Sequence, residues 1–181
     1  MTLAVLLALW ALPGRAQGAP AGPAPGDCAA ANVVPTDPLL RRAAADAVLC
    51  LVNAERGQHG LAPVTASPLL GRAAAFHSSD MVRRKYFSHV TPSGQDVRRR
   101  VARTGYLRGS RCPVLGETLA WGSDAFASPS ELVKGLMLSP MHRRIVLDRR
   151  FRDVGVGLAL GAPMDGMGAQ GSTLSLDFGR R

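Results

Sequence analysis

Aromatic residues make up only 5% of this 181-residue chain, and only Lys85 and Lys134 among its 22 basic residues are lysines. With so few aromatics, none interleaved with the basic runs, the chain lacks the stacking platform that single-stranded nucleic acid requires. The net charge of +9 therefore speaks of solubility and encounter rates, and it disfavours nucleic acid as a partner only in combination with that absence. Cysteine is also sparse: Cys28, Cys50 and Cys112 are far apart, with no C-x-x-C and no H-x-x-x-H spacing, which excludes a zinc-finger type of site. No G-x-S-x-G occurs, so a hydrolase nucleophile elbow is excluded too. The longest apolar run, residues 1–12, is too short to span a bilayer.

What remains is the composition of one globular domain, 46% hydrophobic. The apolar run and the small residues after Pro13 read as a secretory signal over residues 1–18. Residues 19–38, rich in Pro, Ala and Gly, read as an extended leader without a core of its own, and residues 39–181 as the domain. A helix is expected from Pro38, capped by Asp37, with Leu40, Ala44, Ala47, Val48 and Leu51 on one stripe. A second is expected from Ser67 through Leu70, Ala73, Ala74, His77 and Met81, which turns His77 toward the core. Asp96–Thr104 reads as a short helix whose arginines form a solvated face. Ser128-Pro129-Ser130-Glu131 has the shape of a capping box that opens a further helix, interrupted at Pro140. Val114–Trp121 reads as a strand or a bend leading into one, and Phe151–Leu160 and Ser172–Phe178 as two antiparallel strands, which makes an α+β domain. The odd cysteine count leaves three possible bridges; Cys28 to Cys50 is favoured because it staples the coreless leader to the first helix.

Three short polar stretches carry the chemistry: Tyr86-Phe87-Ser88-His89, Gly116-Glu117-Thr118 and Ser139-Pro140-Met141-His142. Two imidazoles and a carboxylate can hold Zn²⁺ or another divalent cation, or serve as general acid and base. They can equally form a buried polar cluster that ties sheet to helices. Ser88 is adjacent to His89 and Ser139 lies three before His142, and neither sits in a nucleophile motif.

Taken in order, Leu51-Val52-Asn53-Ala54-Glu55-Arg56, Tyr86-Phe87-Ser88-His89, Gly105-Tyr106, Gly116-Glu117, Ser139-Pro140-Met141-His142-Arg143, Gly155-Val156-Gly157 and Asp177-Phe178-Gly179 resemble the bacterial secreted branch of the CAP superfamily. That superfamily includes cysteine-rich secretory proteins, venom antigens and plant pathogenesis-related proteins. The resemblance implies a three-layer α-β-α sandwich with a central antiparallel sheet and an open cleft where two histidines and two glutamates converge. His89 and Glu117 match the first pair, and His142 is the best match for the second histidine. The second glutamate falls near Ser139, and Thr118 replaces the asparagine that follows the first.

The expected function is thus a secreted CAP domain whose cleft, lined by His89, Glu117, His142 and Ser139, binds a small ligand, a lipid or sterol, or a divalent metal held by His89, His142 and Glu117, without catalysis. One alternative is a cell-envelope hydrolase using His89, Glu117 and His142. Another is adhesion of the arginines to an anionic envelope polymer.

Overall fold

A computed structural model describes residues 23–166 and 170–181. The expected signal segment and the start of the leader lie outside the described residues. Helix α1 spans Pro38–Gln58, and the Asp37 carboxylate accepts the Leu39 and Leu40 N–H groups at 2.8 and 2.9 Å. Helix α2 spans Pro68–Arg84 and ends on Lys85, whose φ of 53° turns the chain out of the helix. Helix α3 is Val97–Thr104, with Asp96 accepting from Arg99 at its start and Gly105, at φ 88°, ending it. Helices α4 (Pro129–Leu138) and α5 (Pro140–Val146) are separated at Ser139 because Pro140 cannot donate to the preceding turn. Ser128 does not cap α4 as its sequence suggests. Its hydroxyl pairs with Ala125 and Ser130, and Glu131 turns to Lys134 instead.

The strands are β1 (Thr65–Ala66), β2 (Val114–Ser123), β3 (Asp153–Leu160) and β4 (Gly171–Arg180), in the spatial order β1-β3-β4-β2. β2, β4 and β3 run antiparallel. The sheet is mixed rather than wholly antiparallel, because the link between α1 and α2 lays β1 parallel along the β3 edge, Thr65 N–H donating to Arg152 and Ser67 N–H to Val154.

Alternation along the strands divides the sheet into two faces. Val154, Leu158, Leu174, Leu176 and Phe178 pack with α1, α4 and α5, forming the main core with Val48, Val52, Leu132 and Leu136. The opposite face carries Gly155, Gly157, Thr173, Ser175 and Asp177, and α2 lies across it. With α3 beside α2, the result is the three-layer α-β-α arrangement. The leader is less free than its composition suggests. Cys28 bonds to Cys50, Cys28 and Ala31 are buried in the main core, and the Ala31 carbonyl accepts the Ser130 N–H at 2.8 Å.

The seating of α2 depends on two glycines. A Cβ on Gly155 would stand 2.1 Å from the Leu70 carbonyl carbon, and one on Gly157 at the same distance from that of Ala74. Both obstacles are backbone and cannot rotate away. Gly157→Ala should therefore destabilise the fold by about 3 kcal/mol or more, at the upper end of overpacking costs. Gly135→Ala, at a helical site with nothing within 4 Å, should stabilise by about 0.5–1 kcal/mol. Urea unfolding of the two variants checks the contrast.

Candidate functional site

On the sheet face that α2 crosses, Glu117 on β2 stands directly opposite Asp177 on β4. Both are buried in the face that the helix covers. From this position Glu117 reaches the segment between α2 and α3. The Nδ1–H of His89 donates to Glu117 Oε1 at 2.6 Å, and Arg100 Nη2 of α3 donates to Oε2. Two buried side chains pin the segment that carries His89. His77 Nε2 donates to the Ser88 carbonyl at 2.9 Å, and Arg100 Nη1 donates to the carbonyls of His89 and Gln95 at 3.0 and 2.8 Å. Tyr86 completes the frame, donating its hydroxyl to Asp80 at 2.8 Å.

The pairing assigns the tautomer. With Nδ1–H committed to a carboxylate, a neutral His89 turns a bare Nε2 outward as an acceptor. The His89 side chain is 54% exposed whereas that of Glu117 is 3% exposed, so the imidazole is the solvent-facing end of a buried ionic assembly. Burial alone would push the Glu117 carboxyl up, but the His89 hydrogen bond and the Arg100 guanidinium outweigh it and hold the group below its ordinary range. Asp177 goes the other way. Burial raises its carboxyl well above the usual range, and the Glu117 charge opposite adds to the effect. The two facing carboxyls are thus pushed in opposite directions, as expected of a close pair in a buried layer. His77 is pushed down to about 4, chiefly by burial and then by the charge of Arg100, so it stays neutral near pH 7.

Of the residues singled out in sequence, His89 and Glu117 meet directly. His142, on α5, is half-buried, and its pKa is lowered first by burial and then by the charge of His89, which places it within electrostatic reach of the pair; no hydrogen bond joins it to them. Ser139 sits at the junction of α4 and α5 and makes no side-chain cap bond. Ser88 accepts the N–H of Val90, a local turn contact. Of the expected metal set of His89, His142 and Glu117, only His89 and Glu117 are in contact. Both Glu117 oxygens are taken by an imidazole N–H and a guanidinium, and among the described residues no three His, Cys, Asp or Glu side chains gather to hold a metal ion.

Sequence alone does not single out Arg100 or Asp177. The arginines of α3 read as a solvated face, yet Arg100 is 2% exposed. Helical spacing held the signal, since position 100 shares a face with Val97 and Val101, the apolar side of α3.

With this geometry in view, comparison with known proteins settles the family. The model of the cysteine-rich secretory protein family, CAP, matches residues 49–165. The chain belongs to the CAP family. Among curated relatives of this CAP domain, YkwD of Bacillus subtilis is 31% identical over 140 residues, which cover 76% of this chain and 51% of YkwD. The membrane protein YlbC of the same organism is 29% identical over 111 residues, covering 61% and 30% respectively. The chain thus spans about half of one curated relative and less than a third of the other. Among solved structures, an extracellular SCP-domain protein of Bacillus anthracis superposes with a TM-score of 0.63 at 22% identity, over 81% of this chain and 45% of that one. An outer surface protein of Borrelia burgdorferi gives 0.59 at 14% identity, over 74% and 90%. These likenesses establish the CAP fold.

Two measurements probe the buried assembly. Arg100→Met leaves the Glu117 charge buried without its cation and should cost about 3–5 kcal/mol; adding Glu117→Leu should recover a large part, so a double-mutant cycle of urea unfolding should be strongly non-additive. His77 has a folded pKa near 4 against an ordinary 6.5, so the unfolded chain binds its proton first as pH falls. Its contribution, about 3 kcal/mol by linkage, is present above pH 6.5 and is lost as pH drops to about 4. Asp177, shifted upward, contributes with the opposite slope, so the test is a difference: between pH 7 and pH 4.5 the wild type should lose more stability than His77→Gln.

Proposed function

We propose that this CAP domain works outside the cytoplasm as a binding module, with residues 1–18 as its export signal, and that His89 presents the contact atom. The carrying observation is the His89–Glu117 pair, whose Nδ1 is locked at 2.6 Å and whose Nε2 meets no partner among the described residues. Beside it, Phe87 and Val90 are 40% and 46% exposed, which gives a ligand apolar surface next to an oriented polar atom. The Cys28–Cys50 disulfide fits an oxidising compartment. The extracellular and outer-surface neighbours support the same placement. Small amphiphiles, lipids or sterols and envelope fragments are the ligand classes that combine such apolar and hydrogen-bonding groups.

A hydrolase reading draws on the same dyad, with His89 as general base and Glu117 as its orienting carboxylate. Against it, Arg100 occupies the other Glu117 oxygen and offsets the negative charge that would stabilise an imidazolium. No serine or cysteine is hydrogen-bonded to His89 among the described residues. Binding is therefore the better reading.

Calorimetry against phospholipid vesicles, cholesterol-containing vesicles and soluble peptidoglycan fragments tests it. Binding to at least one class is expected, weakened about tenfold by His89→Ala, the worth of one hydrogen bond. Affinity unchanged in His89→Ala, or turnover of the fragments that disappears in His89→Ala, would overturn it.

A further inference from the structure

Between α2 and α3, lined in part by Arg100, lies a cavity of about 280 Å³. Its apolar wall is Ala73 and the ring of Phe76, which is 49% exposed although it sits on the helix that covers the sheet. Its polar wall is cationic: Arg72 from α2, and Arg100 and Arg103 from α3. Among the described residues no carboxylate forms an ion pair with Arg72 or Arg103. They make one neutral contact each, Arg72 with the Thr104 carbonyl at 3.3 Å and Arg103 with Gln95 Oε1 at 3.4 Å.

Arg100 is the unusual member. Its side chain is 1% exposed, its Nη1 serves two carbonyls and its Nη2 holds Glu117, yet its buried Nε–H has no hydrogen-bond partner. Buried N–H groups are almost always paired, so this orphan leaves the Arg100 guanidinium with unspent positive charge just behind the cavity it helps to line. Two uncompensated guanidiniums flank the same space, which selects for negative charge. The volume is at the lower edge of ligand pockets, roughly 300–1,000 Å³, so the occupant is a head group with one ring or a few carbons.

We propose that this cavity binds a small organic anion, its carboxylate or phosphate held by Arg72 and Arg103 in the field of the buried Arg100 guanidinium and its apolar body lying on Phe76 and Ala73. The site is separate from the outward face of His89 and stands whether or not that face binds a ligand.

The test is NMR titration of the full chain with phenyl phosphate and phenylacetate, with inorganic phosphate as head alone and benzyl alcohol as body alone. The Arg100 Nε–H cross-peak should shift with phenyl phosphate, phenylacetate or both, and the stronger of the two reports which head group the site prefers. Inorganic phosphate and benzyl alcohol should each bind at least about tenfold more weakly. Arg72→Ala/Arg103→Ala and, separately, Phe76→Ser alter exposed side chains and should fold; each should weaken the aryl anion about tenfold or more while leaving the His89 resonances as in the wild type. The idea is overturned if inorganic phosphate binds as well as phenyl phosphate, if benzyl alcohol matches the anions, if neither aryl anion moves the Arg100 cross-peak, or if the variants bind unchanged.

Discussion

The distance between helix α2 and the sheet governs the rest of the molecule. Gly155 and Gly157 let the helix backbone settle where any side chain would hold it off. That close seating buries the second face of β3 and β4 and with it Thr173, Ser175 and Asp177, residues that would otherwise look out to water. Sheet faces covered by a helix are ordinarily apolar. Here the polar groups stay and have to be reconciled with low dielectric.

The reconciliation is electrostatic. Burial and the facing Glu117 charge push the Asp177 carboxyl up, His89 and Arg100 hold the Glu117 carboxyl down, and Arg100 comes in from α3 to pair with it. Removing water makes each of these choices binding on the others, because an unpaired charge in this layer is far costlier than on the surface. The same arginine and His77 hold the carbonyls of residues 88 and 89, so the neutralisation that stabilises the layer also aims the His89 ring. Structural and functional readings of the cluster are therefore one assembly. Its buried side stabilises, and its exposed end presents an oriented imidazole.

CAP membership establishes the fold and leaves the chemistry to the side chains, since one scaffold hosts many activities. In this member the polar centre pairs its carboxylate with a guanidinium. The arginine that closes the carboxylate on one edge leaves an unsatisfied donor on the other. Two faces of the molecule are thus linked through Arg100, one toward His89 and one toward the groove between α2 and α3.

Much of the architecture could be read from the chain alone, where local rules decide. Asp37 and Pro38 start α1, Pro140 separates α4 from α5, alternation marks β3 and β4, and the ordered motifs point to the CAP sandwich. The inward turn of His77 and the Cys28–Cys50 bridge were legible for the same reason, one from helical period and the other from a coreless leader needing an anchor. Tertiary structure alone decided the partners. Alternation in β4 shows that Thr173, Ser175 and Asp177 share a face, but only the glycine-seated helix buries that face. Arginine so near solvent in sequence reads as surface, and only packing of α3 against α2 brings Arg100 to Glu117. Which charges survive, and which atom of His89 is left facing water, depend on distances between strands and helices that no local pattern encodes.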